Sequence, residues 1–185
     1  MSTKAEISLQ KAKEEFVRNA HWADSIGSAF QRSYAYKKSA DPIRKRVFKA
    51  ELFEFVKKIE SAYIDQEVNE KAHLKNIHQL REWTRKYSDL FQNGVLKYGI
   101  CQKLLNVYLK ERWCAGKLSK QPPHFPVDRL IQVKLKLKPL INWTQIDSEN
   151  EYMEIVNRVK VVAEEKDLSL AEIELLAYNE LVLER

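Results

Sequence analysis

Three residues whose types suit acid–base chemistry lie close together in the stretch KLSKQPPHFPVDR, residues 117–129: His124, Asp128 and Arg129. An imidazole titrates near neutral pH, a carboxylate can orient it, and a guanidinium can clamp an oxyanion. The same residues also arise for structural reasons. Asp in a first helical turn complements the helix dipole, and His can satisfy loop carbonyls. No nucleophile or metal motif accompanies the set, so the structural reading is the expected one.

A second polar set sits in an otherwise apolar stretch. At about 100° per residue, Gln102, Lys103, Asn106 and Lys110 share one arc of roughly 100°. That arc is either the solvent stripe of a mostly buried helix, which is favoured, or the lining of a groove where Lys and an amide hold an anion. The densest basic cluster is Lys37, Lys38, Arg44, Lys45, Arg46 and Lys49. As a phosphate-binding patch it would gain from counterion release, and as a solvated helix face it would do nothing.

Other chemistries lack their residues. His73 and His78 are five apart, not the i,i+4 that places two ligands on one helix face, so no metal site is expected there. There is no phosphate loop, GxGxxG, GxSxG or HExxH, and no cofactor is implied. Cys101 and Cys114 are thirteen residues apart on one stretch. On a helix that is about 20 Å, beyond disulfide reach. Reduced thiols and a cytoplasmic location follow as expectations.

The elements that must position these residues read as helices. The 185-residue chain is 44% hydrophobic and 31% charged, with only four Gly and five Pro, too little punctuation for many short strands. No apolar run approaches the ~18 residues that span a bilayer, and the N-terminus lacks a secretory h-region. No membrane partner is expected.

Thr3 and Glu6 have capping-box spacing. Leu9, Ala12, Phe16, Ala20, Ala23, Ile26, Phe30 and Tyr34 then predict one amphipathic helix to about Lys37. Asp41-Pro42 opens a second helix carrying Ile43, Val47, Leu52, Phe55, Val56 and Ile59. A third spans about Glu67 to Phe91 and ends at Asn93-Gly94. Residues 95–115 form an apolar helix capped by Gly116, which others should wrap. Pro126 is placed to open a short helix through Ile131. Val133 to Lys138, VKLKLK, alternates with period two and predicts an isolated extended segment. Two further capping boxes, Ser148/Glu151 and Ser169/Glu172, start a C-terminal helical hairpin over 148–185.

Charge divides along the chain. Residues 1–138 carry 28 Lys and Arg against 15 Asp and Glu, whereas residues 139–185 carry 4 against 11. A basic body of +13 invites a nucleic-acid partner, and an acidic end of −7 invites pairing with that body, within one chain or between two. The sequence therefore predicts an all-α single domain, residues 1–185, of about six or seven helices around the apolar helix. Three functions fit it. A non-enzymatic helical binding protein contacting DNA or RNA leads, followed by a homo-oligomeric interaction module with charge-complementary subunits. A small enzyme using His124, Asp128 and Arg129 trails.

Overall fold

Asp41 shows how the chain writes its own helix starts. Its carboxylate accepts from the amides of Ile43 and Arg44, and Pro42 fills the first helical position, where no N–H is needed. Asn69, Asp128, Ser148 and Ser169 cap in the same manner, the last two as full capping boxes. A computed structural model describes residues 4–31 and 33–181, the first three of them by backbone alone. Thr3 and Glu6, the first expected capping box, lie outside the residues whose side chains are described.

The fold is all-α. Among the described residues there are seven helices: α1 (Lys4–Phe30), α2 (Pro42–Glu60), α3 (Glu70–Trp83), α4 (Tyr98–Cys114), α5 (Arg129–Lys134), α6 (Glu149–Glu164) and α7 (Leu170–Tyr178). The apolar helix is α4, and every residue from Tyr98 to Leu109 is buried. Helices α1, α3 and α6 pack on it directly, and the tight turn Trp143–Gln145 closes its N-terminal end. No helix of the described residues is long and apolar enough to cross a membrane.

Two polar pins hold this arrangement. Glu60, at the end of α2, accepts from Tyr108 Oη at 2.7 Å and Arg112 Nε at 2.6 Å, both on α4, with Arg18 of α1 at 3.9 Å. The connection between α1 and α2 is held to the segment after α3 by the amide of Lys37 donating to Leu90 O and by a bridge between Tyr36 and Phe91. Phe48 fills the space beneath, edge-on to Tyr36, Tyr87 and Phe91.

Several boundaries differ from the sequence reading. Helix α1 stops at Phe30, because Ala35 to Lys37 must lie extended to pair with Leu90–Gln92. Helix α3 ends at Trp83: Thr84 Oγ1 bonds Arg81 O and accepts from Leu96 N, turning the chain early. Helix α5 begins at Arg129 rather than at Pro126, since Asp128 is its cap. The VKLKLK segment is not extended. Val133 and Lys134 finish α5, and Lys136 takes a positive φ of 55°. Ile131 and Leu135 are one helical turn apart and both buried, so helical spacing won over the alternation.

The largest surprise is α1. Trp22, Ser25, Ile26 and Ala29 face the body, with Trp22 stacked on Phe53 at 4.8 Å. The expected core stripe of Leu9, Ala12, Phe16, Ala20 and Ala23 lies on the opposite side and is exposed, Leu9 by 57% and Phe16 by 76%. Of that stripe Ile26 and Phe30 pack inward, and Tyr34, beyond the helix, is exposed.

Gly99 provides a test of the closure at α4. Its amide donates to Ile146 O at 2.9 Å, and a Cβ there would sit inside the van der Waals shell of the Trp143 carbonyl oxygen. Helix propensity alone favours Gly→Ala by about 1 kcal/mol. We expect the clash to win, so that Gly99→Ala lowers stability by roughly 1–3 kcal/mol, as overpacking does. Denaturant unfolding that shows the variant unchanged or stabilised would contradict this closure.

Candidate functional site

The segment 122–127 of the loop folds inward, and it scatters the three residues its sequence placed together. His124 is fully buried. Its Nδ1 lies 2.9 Å from Tyr152 Oη on α6, and its Nε2 lies 3.1 Å from the Glu70 carboxylate at the start of α3. Asp128 instead caps α5 and receives Lys103 Nζ at 2.5 Å. Arg129 is exposed and lines a shallow cleft of about 210 Å³ with Lys103, Asp128 and Trp143. No hydrogen bond among the described residues joins His124 to Asp128.

Around His124 is a polar cluster that sequence reasoning missed. Its ring meets that of His73 edge-on at 4.8 Å, and His73 Nδ1 lies 2.9 Å from Tyr63 Oη. Asn76 donates to Tyr63, and Asn106 donates to Tyr152, to Gln102 and to Phe125 O. One proton arrangement satisfies both partners of His124. The ring is neutral, Nε2–H donates to Glu70, and Nδ1 accepts from the Tyr152 hydroxyl. The signal for His73 was present: His73, Ile77 and Leu80 recur at i, i+4 and i+7 on α3 and all three are buried. Tyr152 carries the same signal, recurring with Ile155, Val156 and Val159 on the buried face of α6, but nothing in the sequence pairs it or Glu70 with His124.

Burial decides the electrostatics. Desolvation pushes the His124 imidazole below its ordinary value despite the hydrogen bond to Glu70. His73, wholly buried and facing His124, is pushed well below. Desolvation pushes the Tyr152 phenol well above its usual range, so no activated phenolate arises here. Partial burial raises the Glu70 carboxyl, but hydrogen bonds from Lys160 and His124 outweigh that and hold it low. The nearest cleft, about 620 Å³, reaches Glu70 from outside along Leu74, Lys75 and His78. Cys101 is buried and its thiol pushed up. No group of three or more His, Cys, Asp or Glu among the described residues is placed to hold a metal ion.

The polar arc of α4 is mostly taken up within the chain, with Lys103 lining the shallow cleft beside Arg129. Gln102 bonds Val127 twice, donating to its carbonyl at 2.9 Å and accepting from its amide at 3.2 Å. Asn106 holds Phe125 O, and Lys110 reaches Glu174 of α7 at 2.9 Å. Burial raises the Glu174 carboxyl, with Lys110 opposing.

The basic cluster remains on the surface. Arg44 lies over the Tyr87 ring at 4.5 Å and touches Asp89, and Lys45 lies over Tyr36 at 5.0 Å. Lys86, which the sequence reading did not include, sits 4.0 Å over Trp83 and pairs with Glu51. Lys37 donates to Ser88 O. Lys38, Arg46 and Lys49 are exposed, with no carboxylate partner among the described residues.

No family model, no curated protein and no solved structure matches this chain.

The buried histidines set a pH dependence. Their folded-state pKa values lie below the unfolded value of about 6.5, so the unfolded chain binds protons first as pH falls. The stability they contribute is complete above about pH 6.5 and is lost below it. Melting temperature should therefore fall between about pH 7.5 and 5.5, above the range in which Glu70 titrates. His124→Gln, which keeps a hydrogen-bonding side chain without a titrating group, should flatten that decline. An equally steep decline in the variant would locate the effect elsewhere.

Proposed function

We propose that this chain is a non-enzymatic binding protein whose basic surface at the start of α2 contacts nucleic acid. One observation carries the reading. Arg44, Lys45 and Lys86 are fixed over aromatic faces, beside Lys38, Arg46 and Lys49, whose charges are unpaired among the described residues. Ordering cations on rings reduces the side-chain entropy that a phosphate contact would otherwise cost. Within this set the ion pairs among the described residues are Arg44 with Asp89 and Lys86 with Glu51. Asp41 already occupies the amides of the α2 N-terminus, so phosphates would be held by side chains rather than by the helix end.

The reading has a thermodynamic signature. Affinity should fall with salt by about 0.9 log units per log of salt for each duplex phosphate contact, or 0.7 for a single strand. Reversing Lys38, Arg46 and Lys49 to Glu should weaken binding and flatten the slope by roughly two to three such increments. Absence of binding to any DNA or RNA at about 50 mM salt, where such contacts are strong, would sink the proposal.

A second reading, self-association, is favoured by the exposed apolar side of α1, because contiguous apolar surface commonly marks a contact site. Its charge-complementary form has less support, since Lys110–Glu174 and Lys134–Glu180 already pair the acidic end with the body inside one chain. Sedimentation should then show a dimer that Phe16→Glu dissociates while leaving the monomer folded. A monomer at all concentrations would remove this reading.

A further inference from the structure

Tyr34 is the most exposed large hydrophobic residue of the described chain, at 88%, and its φ is +46°. A bulky side chain is strained in that region, and the strain persists only where surroundings impose it. Here Gln92 imposes it. Its side-chain amide donates to Tyr34 O at 3.0 Å and to Tyr36 O at 3.4 Å, and its backbone N–H donates to Ala35 O. The loop is thus locked to the segment after α3 while its tyrosine ring points outward. A glycine would meet the backbone requirement without strain, and a packed ring would recover burial. Tyr34 does neither.

Beside it lies a cavity of about 270 Å³ lined by Tyr34, Gln92, Asn93, Lys97 and Gln145, with Leu96 among its apolar wall residues. Lys97 Nζ engages Gln145 Oε1 at 2.5 Å, which orients that amide and leaves its NH₂ to point elsewhere. The site therefore combines apolar walls and side-chain amides with the projecting Tyr34 ring beside them. That set matches the faces and edges of a nucleobase. It is joined to the basic surface through Tyr36, which lies under Lys45 and is bonded by the same Gln92. Lys38 is four residues from Tyr34, at most about 14 Å of extended chain.

We propose that this cavity takes one unstacked base of a single-stranded nucleic acid, whose neighbouring phosphates run onto Lys38, Arg46 and Lys49. The inference rests on the nucleic-acid reading above and narrows it. In a duplex both faces of each base are covered and a projecting ring has nothing to stack on, whereas a single strand offers a free face at every position. The strain at Tyr34 then has a use, because it holds the ring in place before the ligand arrives.

The test compares a fluorescently labelled single strand of about 12 nucleotides, within the site sizes of single-strand binders, with a blunt duplex of the same length. Wild-type protein should prefer the single strand. Tyr34→Ala should weaken single-strand binding by about 5- to 150-fold, the loss of one stacked base, and leave the salt slope unchanged, since no phosphate contact is lost. Tyr34→Trp should retain affinity. Tyr34→Gly should lose the same binding while raising the melting temperature, because the strain is relieved. If Tyr34→Ala binds the single strand as wild type does, or if the duplex is preferred, the inference is overturned. The broader reading then survives, provided charge reversal on α2 still weakens binding. If neither oligonucleotide binds at about 50 mM salt, the broader reading fails and this one with it.

Discussion

A helix with no face to water depends on its surroundings for partners to its polar atoms, and α4 is such a helix over Tyr98 to Leu109. Gln102 and the Asn106 amide nitrogen find them, whereas Tyr98 Oη and Asn106 Oδ1 have none among the described residues. Gln102 and Asn106 are each fully buried. The cost of leaving such an amide unsatisfied is about 1–3 kcal/mol per group, comparable to much of a domain's net stability. The answer comes from the loop that carries Pro122, Pro123 and Pro126. Each proline removes one N–H that burial would otherwise strand, so this loop can be packed inside where an ordinary loop could not. The Val127 N–H is taken by Gln102, and the Phe125 and Val127 carbonyls receive the two amides. Loop and helix are each stable in place only because of the other.

The rest of the architecture follows from that obligation. With the loop drawn onto α4, His124 is carried into the core and must find its own partners. Tyr152 from α6 and Glu70 from α3 supply them, which fixes those helices in turn. Asp128 emerges where it can both cap α5 and meet Lys103. At the other end of α4, Arg112 and Tyr108 converge on Glu60. Buried charge pairs of this kind add little net stability, because desolvation consumes most of the attraction, but an unpaired member is costly. Their effect is on register: Glu60 fixes α2, Asp128 the start of α5 and Glu174 α7 against Arg112, Lys103 and Lys110 of α4.

Much of this was legible in the sequence where the signal was local. Asp41-Pro42, Ser148/Glu151 and Ser169/Glu172 each cap the helix their spacing predicts, and the continuous apolar character of residues 95–115 does mark the central helix. What was not legible depends on partners distant in the chain. The polar arc read as a solvent stripe because amides on a helix usually face water, and nothing near residue 102 announces a loop 25 positions on that will cover it. The stripe of α1 read as core because its spacing is right, yet periodicity cannot say whether a second surface is available. Here α4 takes the side carrying Trp22, Ser25 and Ala29 instead. His124, Asp128 and Arg129 were neighbours in sequence, and three adjacent side chains of a buried loop commonly point in three directions.

The same logic sets the interior histidines apart from the surface. His124 and His73 are buried beneath the loop that bonds Gln102 and Asn106, and His124 meets the outer cleft through its Glu70 partner alone among its hydrogen bonds. The neutral imidazoles and protonated phenol of this cluster join α3, α6 and the loop. The α1–α2 connection is built on the opposite principle. It keeps an exposed ring in a strained backbone, leaves three cations unpaired among the described residues, and spends buried contacts only on the scaffold beneath, through Phe48 and Phe91. The proposed nucleic-acid contact would draw on that exposed ring and those unpaired charges, held still by the packing beneath them.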